Sequence, residues 1–377
     1  MNSRSAKFHE DTVEARQARE FIKTLGPFDQ VRVDNHSVPV SHLKAFTDSR
    51  REDGRVWTYD RKTAAAPKHL APPVIAKQKG LYLIEYEDMP EEMPEDFIER
   101  VLASHVEAPF PQIRNKLVYG LEVGILPVLT PHERLALAFY MAVQQMRTPA
   151  HRRRIEWLGA VHATFEARVR LEAALRGDSV APGLEGVSPR ELRRYIAEFD
   201  RDHLRLVPPK EHWLWSFLKV AHQTAPLVAA LPWRLVRAPE SVELVTCDGP
   251  VVSVTRAPRQ LDYSLGGGWA NPNSETVFAL SPTHVLAVGA GVENDPLVGT
   301  AEWCATVRDR TIRNADRFVF ARSADPRVSD LLAASDAPTS VVEFDGQQYP
   351  TGAPVGEVVK RLLKTKDGTV IRWGPPQ

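Results

Sequence analysis

One segment of this chain carries both of its ends in the sequence. Thr130-Pro131-His132-Glu133 places a Thr at the N-cap, a Pro at the first helical position and a Glu three residues after the Thr, which is the capping-box arrangement. Thr148-Pro149 supplies the stop, because the residue before a proline is pushed out of helical geometry. Between these ends, Leu135, Phe139, Ala142, Val143 and Met146 fall on one face at the helical repeat. Glu133, Tyr140, Gln144 and Arg147 fall on the other. The spacing predicts a helix with its apolar face toward the core. The polar face either meets water or lines a site.

Around this helix the pattern is mixed. A helical segment is expected over Lys7–Leu25, and a short extended stretch bends at Pro39 into a turn of helix at Leu43 and Phe46. Alternation predicts a strand at Arg55–Asp60 and short extended pieces at Val74–Ala76 and Leu81–Ile84. Helices follow: one over Asp96–Ile113 broken or kinked by Pro109 and Pro111, one from Pro149 to Arg176, and one opened by the second capping box, Ser188-Pro189-Arg190-Glu191. A Trp-rich helix beginning at His212 is expected to end or kink at Pro226.

The C-terminal part is strand-rich, with β-type runs at 233–236, 242–246, 251–254, 277–280 and 284–288. A helix from Ala301, a strand at Phe318–Phe320, strands at Ser340–Phe344 and Thr369–Trp373, and a helix at Val355–Leu363 complete it. Without strict βαβ alternation the expected class is α+β: a central helical bundle packed with a mostly antiparallel sheet formed by N-terminal and C-terminal strands. The expected organisation is a helical extension over 1–30, one α+β domain over 31–325, and a strand and helix extension over 326–377 packed on it.

Charge narrows the function classes. Lys plus Arg equals Asp plus Glu, at 48 each, which argues against a general nucleic-acid coat or a membrane-surface binder while leaving room for a local basic patch. The two cysteines, Cys247 and Cys304, sit outside any Cys-x-x-Cys pattern and exclude a disulfide framework or a thiolate zinc site. The N-terminus leads into a charged segment and the apolar runs fall short of a membrane span, so a cytoplasmic location is expected.

Several residues stand out chemically. Asp248 follows an apolar strand and precedes Gly249-Pro250, so it sits on a sharp turn at a strand end, where catalytic and metal-binding acids are often placed. An Asp that hydrogen-bonds its own turn reads the same way. His36 and His42 are six apart, which is not the spacing that aligns two imidazoles on a helix; a metal pair has no support in that spacing, and a histidine near a proline turn is more often a hydrogen-bonded structural residue. Arg147, His151, Arg152, Arg153 and Arg154 straddle a helix junction that is also a helix N-terminus, a combination suited to a phosphate-bearing ligand. A basic face paired with Glu156 is the alternative. Gly266-Gly267-Gly268 lacks a phosphate-loop context and reads as a turn, Ser253 and Ser281 lack a nucleophile elbow, and the tryptophans read as packing residues.

Four motifs in order carry a resemblance. His36-Ser37-Val38-Pro39-Val40-Ser41-His42-Leu43-Lys44-Ala45-Phe46 is similar to a His-x-Val-Pro-Gln-Phe-x-Leu-Arg-x-Phe start, with Val40 in place of the Gln and Lys44 in place of the Arg. Gln144-Gln145-Met146-Arg147-Thr148-Pro149 matches a Gln-x-x-Arg-Thr-Pro helix end. Cys247-Asp248-Gly249-Pro250-Val251 corresponds to a Ser-Asp-x-Pro-Val strand end, and Ala279-Leu280-Ser281-Pro282 to a Pro-Leu-Ser-Pro segment. Val106-Glu107 looks like an Ile-Glu that precedes the mid-chain helices. In this order the chain resembles, from His36 to Ala321, a mostly bacterial family catalogued as domain of unknown function 4238. The resemblance carries no activity. It implies that His36, Glu107, Gln144, Arg147 and Asp248 belong together.

On this reading the expected function is metal-dependent phosphoester hydrolysis, with nuclease activity as one form. Arg147, Tyr140 and Arg152 would hold phosphate. Glu107 and Asp248 would hold Mg2+ or Mn2+ by oxygen ligation, with Asp248 also counted as catalytic, His36 as acid or base, and Gln144 as the group that orients water or substrate. The alternative is a non-catalytic ligand- or nucleic-acid-binding or sensing module, whose polar cluster is a structural network or a ligand pocket.

Overall fold

The computed structural model describes residues 20–25, 31–49, 53–63, 66–84, 93–178, 183–255, 269, 274–289, 298–335, 341–344 and 347–363. The expected strand at Thr369–Trp373, the turn at Gly266–Gly268 and most of the helix at Lys7–Leu25 lie outside them.

In chain order, β1 (Asp34–His36) leads into one helical turn, α1 (Val40–Leu43), and a 3-10 turn (Lys44–Phe46). β2 (Val56–Asp60), β3 (Lys68–Leu70) and β4 (Lys77–Lys79) follow. The helical part comprises α2 (Phe97–Val101), continued by a π-helical turn (Leu102–Glu107), then α3 (Phe110–Glu122), α4 (Pro131–Met146), α5 (Pro149–Arg176), α6 (Pro189–Asp200) and α7 (Lys210–Ala230). The chain returns to strands with β5 (Trp233–Arg237), β6 (Thr246–Cys247), β7 (Val251–Thr255), β8 (Ser274–Ser281) and β9 (His284–Val288). It closes with α8 (Ala301–Asn314), β10 (Phe318–Ala321), α9 (Pro326–Ala333), β11 (Val341–Phe344), β12 (Gln347–Pro350) and α10 (Val355–Leu362).

The fold is α+β with antiparallel strand pairing, and among the described residues the strands form two four-stranded sheets rather than one. The order β3-β2-β10-β6 interleaves N-terminal and C-terminal strands, with Phe318 opposite Asp60 and Val319 opposite Cys247. The order β5-β9-β8-β7 uses C-terminal strands alone. β1–β4 and β11–β12 are two-stranded ribbons.

The second sheet is the divider of the core. Alternate residues of a strand point to opposite faces. Leu235, Phe278, Leu280, Leu286 and Val288 therefore pack toward the helices, while Val236, Val277, Ala279, Val285 and Ala287 pack against Leu43, Phe46, Cys304 and Val307 on the other side. Both faces are covered, so every residue of β9 is buried. Each large apolar side chain buried this way contributes roughly 1.5–3 kcal/mol.

Both capping boxes form: Glu133 N–H donates to Thr130 Oγ1 at 3.2 Å and Thr130 N–H to Glu133 Oε2 at 2.7 Å, with the same pairing at Ser188 and Glu191. Two local expectations change, and a third point is resolved. α7 runs through Pro226 to Ala230 without stopping. Its long packing against α4 buries Ala221, Ala225 and Val228, and Arg134 and Trp233 donate to the carbonyls of Ala229, Leu231 and Val228 at its end, which holds the last turn in place. Val74 closes a 3-10 turn rather than a strand, and the backbone of 81–84 is a turn. The third point concerns α4, which is buried on both sides: Ala142 and Val143 of its apolar face are 0% exposed, and its polar face turns inward instead of meeting water. Tyr140, Gln144 and Arg147 are 1%, 0% and 2% exposed, whereas Leu135 is 44% exposed.

Candidate functional site

The inward turn of α4 makes Arg147 the hub of a polar cluster. It stands at the helix C-cap, and its guanidinium has three acceptors. Nη1 donates to Glu107 Oε1 at 2.7 Å, Nε to the Ser37 carbonyl at 3.1 Å and Nη2 to the His36 carbonyl at 3.4 Å. Burial works against this charge, but Tyr82 and Glu107 nearby more than offset it, and the guanidinium is held above its ordinary pKa. Glu107 reaches Arg147 because the turn before it is π-helical. One extra residue in a turn rotates everything beyond it by about 100° relative to a continuous α-helix. Glu107 is a quarter exposed (25%), so the ion pair runs from the interior to the protein surface.

Behind this pair lie polar atoms without partners. Tyr82 Oη, Tyr140 Oη, both amide atoms of Gln144 and Trp213 Nε1 are buried and accept or donate no hydrogen bond among the described residues. Tyr140 is stacked on Phe110 with ring centres 3.9 Å apart and planes 4° from parallel, and the Tyr82 ring lies 6.1 Å from that of Trp213. Burial pushes both phenols above their ordinary pKa. An unsatisfied buried polar group costs about 1–3 kcal/mol, so several in one place ask for water or a ligand.

The rim is formed by β1 and α2. His36 is half-buried, and its Nδ1–H donates to the Ile75 carbonyl at 3.0 Å; burial lowers its pKa although that bond raises it. Ser37 N–H donates to the Ala76 carbonyl at 3.1 Å, pinning Ala76 at φ 52°, a left-handed backbone that disfavours a β-carbon by about 1–2 kcal/mol. Asn35 is fully buried; its Nδ2 donates to the Arg32 carbonyl at 3.4 Å and its Oδ1 accepts from the Tyr82 N–H at 3.2 Å. Burial and then the neighbouring Glu107 push the Glu99 carboxyl up to about 7, while Arg147, Arg32 and Asn35 pull it down. Neither Glu99 nor Tyr82 stands out in the sequence. Tyr82 sits in a stretch that reads as a strand, and Glu99 lies in α2 just ahead of the π turn, which no residue pattern announces.

Other residues picked out by the sequence are engaged elsewhere. Asp248 is buried, and its carboxylate accepts three backbone N–H groups: Asp316 at 2.8 Å, Arg317 at 2.8 Å and Phe318 at 3.0 Å. Burial pushes it up to about 6, against these three bonds, which pull it down. This joint touches the helix junction: a β-carbon on Gly249 would lie 3.5 Å from Thr148 Cγ2. Of the basic cluster, Arg152 pairs with Glu156 at 2.7 Å and lies 5.3 Å from the Trp213 ring centre, Arg153 pairs with Asp316, and His151 is buried beside Arg154. His42 is fully buried, with Nε2 2.8 Å from Thr246 Oγ1 and its ring stacked on Phe278.

The structure thus gathers Glu107, Tyr140, Gln144, Arg147 and the main chain of His36 into one cluster, and turns the carboxylate of Asp248 to the backbone of 316–318. Among the described residues no three His, Cys, Asp or Glu side chains form a metal-binding group, and no helix is long and apolar enough to cross a membrane. No curated protein and no solved structure matches the chain. A family model does match, over residues 34–325, the span that holds the hub, its rim and the Asp248 joint: the chain belongs to DUF4238, a family of proteins of unknown function.

Proposed function

We propose that this protein is a ligand-binding module whose site is the cluster around Arg147. One observation carries the reading: the polar atoms of Tyr82, Tyr140, Gln144 and Trp213 are buried without partners beside an ion pair that reaches the surface at Glu107. A small polar molecule entering past Glu107 would complete those atoms. Phosphoester hydrolysis asks for an arginine free to hold phosphate. Arg147 already has three protein acceptors, and Asp248 three protein donors, which favours the binding reading over the hydrolytic one.

Mass spectrometry of the purified protein tests this. Sprayed from native buffer, the wild type should carry a co-purified small molecule as a mass adduct that acidified solvent releases, and Gln144→Leu should abolish it. A bare polypeptide mass, with Gln144→Leu folded and more stable than wild type, would show a purely architectural network hydrated by water.

A further inference from the structure

The end of α4 away from Arg147 carries a different feature, an apolar tip held out into solvent where α3 turns into α4. Tyr119, Val123, Ile125, Leu126 and Val128 are each 48% to 82% exposed. The backbone of this turn is firmly bonded. Gly124, at φ 73°, closes α3 with the two bonds of a Schellman motif: Ile125 N–H donates to the Gly120 carbonyl at 2.8 Å, and Gly124 N–H to the Leu121 carbonyl at 3.3 Å. In that motif the residue after the glycine ordinarily packs back on the last turn of the helix. Here the position it would meet is Gly120, which has no side chain, so Ile125 projects outward. A β-carbon on Gly120 would lie 2.9 Å from the Ile125 carbonyl and 3.0 Å from Pro127, so the bare helix turn is what lets the loop fold back on α3 beside Tyr119. Five apolar side chains are thus fixed in water by the backbone, denied the burial that would stabilise them.

We propose that the α3–α4 tip is a two-fold interface with a second copy of this chain. At these exposures the five side chains present on the order of 600 Å² of surface, the size at which an apolar patch on a monomer marks an interaction site. Two tips face to face would bury about 1,200 Å², the lower bound for a specific, stable interface. Leu135, 44% exposed on α4, adds to it. A patch that pairs with itself needs no complementary site elsewhere, because a two-fold axis sets the same surface against itself. Charge favours a protein over a lipid surface. Amphipathic surfaces that bind anionic lipid carry Lys and Arg beside the apolar face. Here Lys116 is paired with Glu133 at 2.8 Å, Arg134 donates to the carbonyls of Ala229 and Leu231, and Arg114 donates to the Ser41 carbonyl. The neutral Lys116–Glu133 pair sets no net charge of one copy against the other. Glu107 and Arg147 stand at the other ends of α3 and α4, about 20 Å along helices of thirteen and sixteen residues, so the pairing is independent of the ligand reading.

Sedimentation velocity of the full chain over a micromolar concentration series tests this. The wild type should sediment as a dimer that dissociates on dilution. Leu126→Asp combined with Val128→Asp should weaken association by roughly a hundredfold or more and give a monomer throughout the series. Its circular dichroism should match the wild type, because both side chains are exposed in the single chain. Val207→Asp, at a position 72% exposed between α6 and α7, should leave the dimer intact. A wild type that stays monomeric at high micromolar concentration, or a dimer that survives both tip substitutions, overturns the proposal. So does a monomer that floats with phosphatidylcholine–phosphatidylglycerol vesicles and loses them on Val128→Asp, which would assign the tip to a lipid surface.

Discussion

His42 makes the acid sensitivity of this fold calculable. The ring is fully buried, one nitrogen lies 2.8 Å from Thr246 Oγ1, the other has no partner, and Phe278 stacks on it with centres 5.0 Å apart. Burial holds its pKa down at about 3, and Arg114 and Arg147 push the same way. Unfolded, the same side chain titrates near 6.5. The unfolded chain therefore takes up a proton below pH 6.5 that the native protein refuses until about pH 3, so stability falls with pH across that window. From about pH 7 to about pH 5 the loss from this one group is about 2 kcal/mol. The perturbation is His42→Gln, whose amide can still reach Thr246 and does not titrate. Urea unfolding of both proteins at the two pH values isolates the effect, because every other titrating group is common to both. The wild type should lose about 2 kcal/mol more than the variant on acidification. Equal losses, or a His42 resonance titrating between pH 6 and 7 in the native protein, would refute the reasoning.

Three further outcomes follow from the geometry. Arg147→Met should cost about 3–5 kcal/mol in chemical unfolding, since it strands Glu107 and two carbonyls, and Arg147→Lys should recover only part because an ammonium lacks the planar fork that reaches three acceptors. Asp248→Asn places an NH2 among three N–H donors; a loss of about 2–3 kcal/mol is expected, with faster amide hydrogen exchange confined to 316–318. Gly356→Ala would bring a β-carbon within 2.0 Å of the Phe199 carbonyl, so α10 should lift away and trypsin should cut within 341–363 while the helical signal of the remainder persists.

The elements that were legible in the sequence are those whose causes are local. Thr130-Glu133, Ser188-Glu191 and Thr148-Pro149 mark helix starts, because an N-cap acts within three residues. Short β-type runs such as His284–Val288 mark strands, but they do not say which sheet a strand joins, and among the described residues the single expected sheet became two four-stranded ones. Pro226 shows the opposite limit: its local cost is overridden by packing of α7 on α4, which no window around it contains. The polar face of α4 is the instructive case. The residue pattern leaves open whether it meets water or lines a site; the helix buries Tyr140 and Arg147 because their partners, Phe110, Glu107 and the carbonyls of His36 and Ser37, lie far away in sequence.

Those distant partners also explain why the motifs stand where they do. His36-Ser37 supplies the carbonyls that Arg147 needs, Thr148 starts α5 against Gly249, and Asp248 fastens β6 to the backbone before β10. Each motif is one side of a joint between the helices and a sheet, so the motifs are coupled through architecture before any chemistry is invoked. The two joints differ in one respect. At Asp248 each carboxylate oxygen has a protein donor and the residue is sealed from solvent. At Arg147 the ion pair is complete, yet the atoms behind it are not, and Glu107 opens the joint to solvent. A purely structural joint has no use for that difference: apolar replacements at Tyr140 and Gln144 would hold the layers together at lower cost. Polar atoms left uncompleted behind a solvent-open ion pair are therefore what the binding proposal rests on, and replacing them is what tests it.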